Sequence, residues 1–158
     1  TWQMSLFSWL PMAVVAISLV KTSLLDHYIK LSFVVALLGI IAGMIITSGT
    51  LSIPGHYHGM TGAFNLAFFA ILIKKSQHLV KYQHKVTHLY GIGLVTLIIG
   101  LTWSGELGIG RKLIAAQQGA LSVWQSSAIT FVAIGALVAV ISSIVIIKCF
   151  FPKYQSTK

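Results

Sequence analysis

Pro54-Gly55-His56-Tyr57-His58-Gly59-Met60-Thr61-Gly62 lies where one long apolar run of the chain ends and the next begins. A proline just before a first helical turn costs nothing, because its missing N–H has no intrahelical partner there. The stretch therefore reads as the head of a helix. On that helix, positions i and i+2 stand about 200° apart, so His56 and His58 face nearly opposite sides. A helix that chelates one ion supplies its ligands from i and i+4. The pair is wrongly spaced to share an ion and well spaced to ligate two different cofactors, one on each side of a single helix.

Gly55, Gly59 and Gly62 remove side-chain bulk around the pair, which lets a flat macrocycle approach the helix closely. Neutral imidazole is a good axial ligand for heme iron. Ionisable groups inside membrane segments are costly and usually functional. The plainer alternative is polar anchoring of the helix at a membrane surface.

The whole chain supports a membrane setting. Of its 158 residues 56% are hydrophobic and only 8% are charged, against about 25% charged in a soluble domain. Eleven Lys and Arg stand against two acidic residues, but they fall between apolar runs rather than along one face. That pattern points to the loops of a membrane protein and away from nucleic acid. A lone cysteine, Cys149, excludes an internal disulfide framework and reads as a small buried or lipid-facing residue.

Five apolar segments are each close to the ~20 residues that cross a bilayer. They cover roughly Ser5 to Leu25, Leu31 to Thr50, Pro54 to Ile73, His88 to Trp103 and Gln125 to Phe150. The first, which carries Pro11 and Lys21, is the weakest, so it spans the membrane or lies partly in the interface. It also lacks the basic flank and small-residue cleavage site of a signal peptide. Gly39 and Gly43 in the second have the spacing of a small-residue helix contact. The sequence predicts an all-α, polytopic helix bundle of about five transmembrane helices, residues 1–158 forming one membrane domain.

Asp26, His27 and Lys30 follow the first segment; Lys74, Lys75, Lys81 and Lys85 follow the third; Lys148, Lys153 and Lys158 follow the fifth. With five crossings these basic stretches share one side, which the positive-inside rule makes the inner one. His56 and the loop from Ser104 to Trp124 then share the outer side. Arg111 and Lys112 in that loop run against the charge bias and call for a local anionic partner, such as heme propionates or simply Glu106. His84 and His88 have metal-ligand spacing on a helix, yet together with His27 and His78 they read as solvated loop histidines. Trp2, Trp9, Trp103 and Trp124 sit where interfacial aromatic anchors sit.

With these features in order, the chain from Phe7 onward resembles the C-terminal part, helices nine to twelve, of subunit I of heme–copper oxidases. Phe7-Ser8-Trp9-Leu10 is similar to the short segment before the family's ninth helix, and Gly39 to Gly49 to the glycine-bearing end of that helix. His56-Tyr57-His58 resembles the His-Phe-His at the head of helix ten. Gly108-Ile109-Gly110-Arg111-Lys112 resembles the Gly-Met-Pro-Arg-Arg after helix eleven. The resemblance implies that His56 ligates the high-spin heme, that His58 is an axial ligand of the low-spin heme, and that Arg111 and Lys112 hold propionates. The family pattern departs at Lys112 and Gly110, and at Ser48 and Gly49, which stand where its His-Asp pair bears on a magnesium site.

The copper-ligating histidines, the second low-spin ligand and the cross-linked tyrosine belong to earlier helices of that family. The resemblance therefore implies a split or shortened subunit I with no complete catalytic site on this chain alone. It implies two hemes of undetermined type, copper on a partner chain, and a partner supplying the other half of subunit I among further oxidase subunits. Cytochrome c or quinol would donate electrons for reduction of dioxygen to water. A bacterial or archaeal plasma membrane, or a mitochondrial inner membrane, fits this reading. Nitric oxide reductases share the architecture. A cofactor-free accessory subunit is the alternative from another class, and a simple b-type cytochrome is a third.

Overall fold

A computed structural model describes residues 14, 17, 27–46, 49–75, 81–110 and 120–150. Among them the chain forms four helices: α1 (His27–Met44), α2 (Ser52–Lys75), α3 (Lys81–Glu106) and α4 (Val123–Phe150). The regular structure of the described residues is all helical. Three of the helices are long and apolar enough to cross a membrane: α1, the Lys85–Glu106 part of α3, and α4 as far as Lys148. At 24 residues, or about 36 Å, α2 is equally long but less apolar, because His56, His58, Thr61 and Asn65 punctuate it. The expected segment from Ser5 to Leu25 lies outside the described residues, apart from helical positions at Val14 and Ile17.

The helices run up and down, each antiparallel to the one before. Along α1 and α2, Ser32 meets Ala63, Gly39 meets Gly59 and Gly43 meets His56. Along α2 and α3, Gly55 faces Thr102 and Gly62 faces Leu94. Along α3 and α4, Gly93 lies on Ala139 and Gly100 on Val132. Helices α1, α2 and α3 thus pack mutually, and α4 lies against α3. Small residues let the backbones approach where burial alone gives no drive for helices to associate in lipid. A Cβ on Gly39 would sit 2.9 Å from the backbone of Gly59. Val35, Leu66, Leu94 and Ile98 fill the space between.

The Ser32 hydroxyl donates 2.7 Å to the Ala63 carbonyl from a buried position, tying α1 to α2. Interhelical bonds of this kind are worth about 1 kcal/mol in a membrane protein. Ser32→Ala is expected to lower unfolding stability by that amount, read as a shift in the denaturation midpoint of the detergent-solubilised protein. An unchanged midpoint would mean that the bond adds nothing net.

Helix boundaries differ from the apolar segments for local reasons. The second segment leaves helix at Met44, ahead of a Thr-Ser-Gly-Thr run that favours turns over helix. Helix α3 starts seven residues before His88, since Lys81, Gln83 and Lys85 are good helix formers that carry it beyond its apolar part. Helix α4 starts two residues before Gln125 because of a reciprocal cap. The Gln125 N–H donates to Ser122 Oγ (3.2 Å) and the Ser122 N–H donates to Gln125 Oε1 (3.0 Å). Three of the expected loop histidines are also reassigned, while His78 lies outside the described residues. His27 opens α1, and His84 and His88 lie inside α3; the ring centroids of His27 and His88 are 4.6 Å apart.

Candidate functional site

The end of the bundle that holds the head of α2 is closed by the loop after α3. Gly108 takes a left-handed conformation (φ 77°), which a glycine adopts without steric cost. The N–H groups of Gly108 and Ile109 donate back to the carbonyls of Gly105 and Ser104, ending α3. The Leu51 N–H then donates 3.1 Å to the Ile109 carbonyl, and Thr50 and Gly110 form an antiparallel bridge. The loop is thereby stapled to the turn that starts α2. Gln125 Nε2 donates to the Leu107 carbonyl at 3.1 Å, bringing the start of α4 to the same place. The rings of Trp103 and Trp124 lie 6.3 Å apart at this end.

His56 and His58 occupy different faces of α2, as the i, i+2 spacing requires. His56 lies against α1. Its Nδ1 is 2.8 Å from the Gly39 carbonyl oxygen, and a Cβ on Gly43 would lie only 2.6 Å from that same nitrogen. A carbonyl can only accept, so Nδ1–H is the donor and the lone pair of the neutral ring is on Nε2. A histidine that ligates a metal characteristically has its other ring nitrogen held by such a backbone carbonyl. The sequence marked Gly39 and Gly43 only as a packing pair. Their second use, one carbonyl and one absent side chain that together seat the His56 ring, needed the register between α1 and α2.

His58 is exposed and lines a groove of about 390 Å³ bounded by α2, α3 and α4. The groove walls are apolar, with Leu94, Leu97 and Leu101 on α3 facing Val132, Ala136 and Ala139 on α4. At its far end lies Tyr90, whose hydroxyl accepts a 3.4 Å hydrogen bond from Asn65 Nδ2. One imidazole on an apolar wall is the chemistry of an axial ligand to a macrocycle with a hydrophobic body. Among the described residues no three of His, Cys, Asp and Glu converge, so each of these imidazoles would act as a single ligand on its own side of the helix.

Thr102 and Ser104, at the same end as His56, bury hydroxyls that have no hydrogen-bond partner among the described residues. Buried unpaired hydroxyls of this kind mark places where an outside polar group or water is accommodated. Arg111 and Lys112 lie outside the described residues, immediately after Gly110, which the bridge to Thr50 fixes beside the head of α2. The residues present place one imidazole on each of two faces of α2: His56, whose Nδ1 is held by the Gly39 carbonyl, and His58, which opens on an apolar groove.

Comparison of the chain with protein-family models, with curated proteins and with solved structures gives no match.

Proposed function

We propose that this chain is the heme-binding part of a split or shortened catalytic subunit of a heme–copper terminal oxidase. The hydrogen bond from His56 Nδ1–H to the Gly39 carbonyl, with His58 on another face of the same helix, carries the reading. His56 would ligate the high-spin heme and His58 one side of the low-spin heme. Arg111 and Lys112, following the bridged Gly110, would hold propionates. Bound heme supplies reversible one-electron chemistry at an iron whose potential is set by its ligands and surroundings.

The chain's own contributions follow from its residues. The Gly39 carbonyl keeps a proton on Nδ1 of His56 and so leaves Nε2 as the ligand atom. Helix α2 fixes the spacing of the two imidazoles. The leucine and alanine walls beside His58 would give an apolar surface for the body of a macrocycle bound there. The copper ligands, the second axial ligand and the remainder of the dioxygen site would come from a partner chain, with cytochrome c or quinol as the donor. All four helices would cross the membrane, with Ser5 to Leu25 as a fifth segment. The proposed setting is a bacterial or archaeal plasma membrane or a mitochondrial inner membrane. A nitric oxide reductase of the same architecture is the nearest alternative, because the residues separating the two chemistries would lie on helices outside this sequence.

The direct test is the reduced-minus-oxidised optical spectrum, with and without carbon monoxide, of the complex purified through this chain. Two hemes, one of them carbon-monoxide sensitive, are expected. A heme-free complex would make the chain an accessory subunit instead.

A further inference from the structure

At the opposite end of the bundle from His56, about 24 Å along α1, a second pair of histidines is brought together from two helices. We propose that His27 and His88 form a two-imidazole site for a borderline-soft divalent cation of the Zn²⁺ class, which clamps the first turn of α1 to α3. The ring centroids of His27 and His88 are 4.6 Å apart and the ring planes are inclined by 56°. A Zn–N bond of about 2.0–2.1 Å places each imidazole centroid about 3.2 Å from the ion. Two rings sharing that ion at about 90–110° therefore stand about 4.5–5.2 Å apart. The observed separation falls inside this window, and the rings are inclined to each other and not stacked in parallel.

The surroundings support the arrangement. Tyr28 is 3% exposed and packs its ring 5.1 Å from His88 and 6.2 Å from His27, holding both from the protein side. His27 is exposed, so an ion can enter from water and complete its shell with solvent. Lys30 and Lys85 are exposed at this end. Their charge acts against every cation alike, so the two imidazoles set the preference: hard cations such as Mg²⁺ require oxygen ligands, whereas Zn²⁺, Ni²⁺ and Cu²⁺ gain most from imidazole nitrogen. The sequence paired His88 with His84, one turn away on the same helix; the fold pairs it with His27 across two. This site is independent of any heme ligation at the other end, so either proposal can fail without the other.

The test titrates the purified full complex with Zn²⁺ in competition with a chromophoric chelator, in 1 mM Mg²⁺. One Zn²⁺ per chain is expected. Affinity should fall tenfold or more in His27→Gln and in His88→Gln, and the double variant should bind no more tightly than either. X-ray absorption of the zinc-loaded wild type, which needs no variant, should show two imidazole nitrogens at about 2.0–2.1 Å. Wild-type affinity in both variants, displacement of zinc by Mg²⁺, or an oxygen-only shell would overturn the site.

Discussion

His56→Ala is expected to remove the carbon-monoxide-sensitive heme from the purified complex while the low-spin heme stays, and His58→Ala to do the reverse. The two side chains share one helix and are separated by a single residue, so a general disturbance of α2 would affect both hemes together. Selectivity is the informative result. It follows from placement, since His56 seats against α1 through the Gly39 carbonyl and His58 opens on the groove between α2, α3 and α4. Neither ring supports the hydrophobic core of the bundle, which is built from residues such as Val35, Leu66 and Ile98. Truncation should therefore leave a folded chain, with yield near that of the wild type. Loss of the axial ligand should reduce occupancy of the matching heme at least tenfold, measured by pyridine hemochrome content alongside the optical spectrum. Wild-type spectra from both variants would end the oxidase reading and leave the histidines as polar anchors.

The parts of this site that could be read from the sequence are those that depend on one helix alone. The i, i+2 spacing of His56 and His58 assigns them to different faces whatever packs around them, and the structure keeps them apart. Gly39 and Gly43 could be seen as a contact surface. Their use as a seat for His56 could not, because it depends on the register of α1 against α2. The staple between Thr50 and Gly110 was equally out of reach, being one bridge between residues sixty positions apart. Periodicity gives no hint of it. The histidines expected in loops misled for a related reason. Lys81 and Lys85 give the His84–His88 region the composition of a loop, yet these lysines are good helix formers, and α3 continues through them to bring His88 against His27. Pro54 to Ile73 counts among the apolar segments, yet α2 is less apolar than the three helices suited to cross a membrane, because the polar residues that give it chemical interest lower its apolar character.

A single methyl group on α1 should reach the heme without touching it. In Gly43→Ala the new Cβ would lie 2.6 Å from Nδ1 of His56, 3.1 Å from Cε1 and 3.2 Å from Cγ. Three ring atoms cannot all yield while Nδ1 stays 2.8 Å from the Gly39 carbonyl. Either the ring swings away and the hydrogen bond breaks, or α1 and α2 move apart. The second route is resisted by the close approach of Gly39 to Gly59 and by the Ser32–Ala63 hydrogen bond on the same interface. Overpacking of this kind costs about 1–3 kcal/mol. Displacing the ring is the smaller adjustment, because it gives up one hydrogen bond of about 0.5–1.5 kcal/mol. Loss of the outer partner of a ligating histidine lowers metal affinity about 10–100-fold. Gly43→Ala is accordingly expected to weaken high-spin heme retention by about that factor, leaving the low-spin band intact. Gly49→Ala is the matched control: its Cβ would meet nothing within 4 Å, and its spectrum should equal the wild type. If Gly43→Ala also gives a wild-type spectrum, the His56 ring is not seated against α1, and its assignment as the ligand of the high-spin heme fails with that contact.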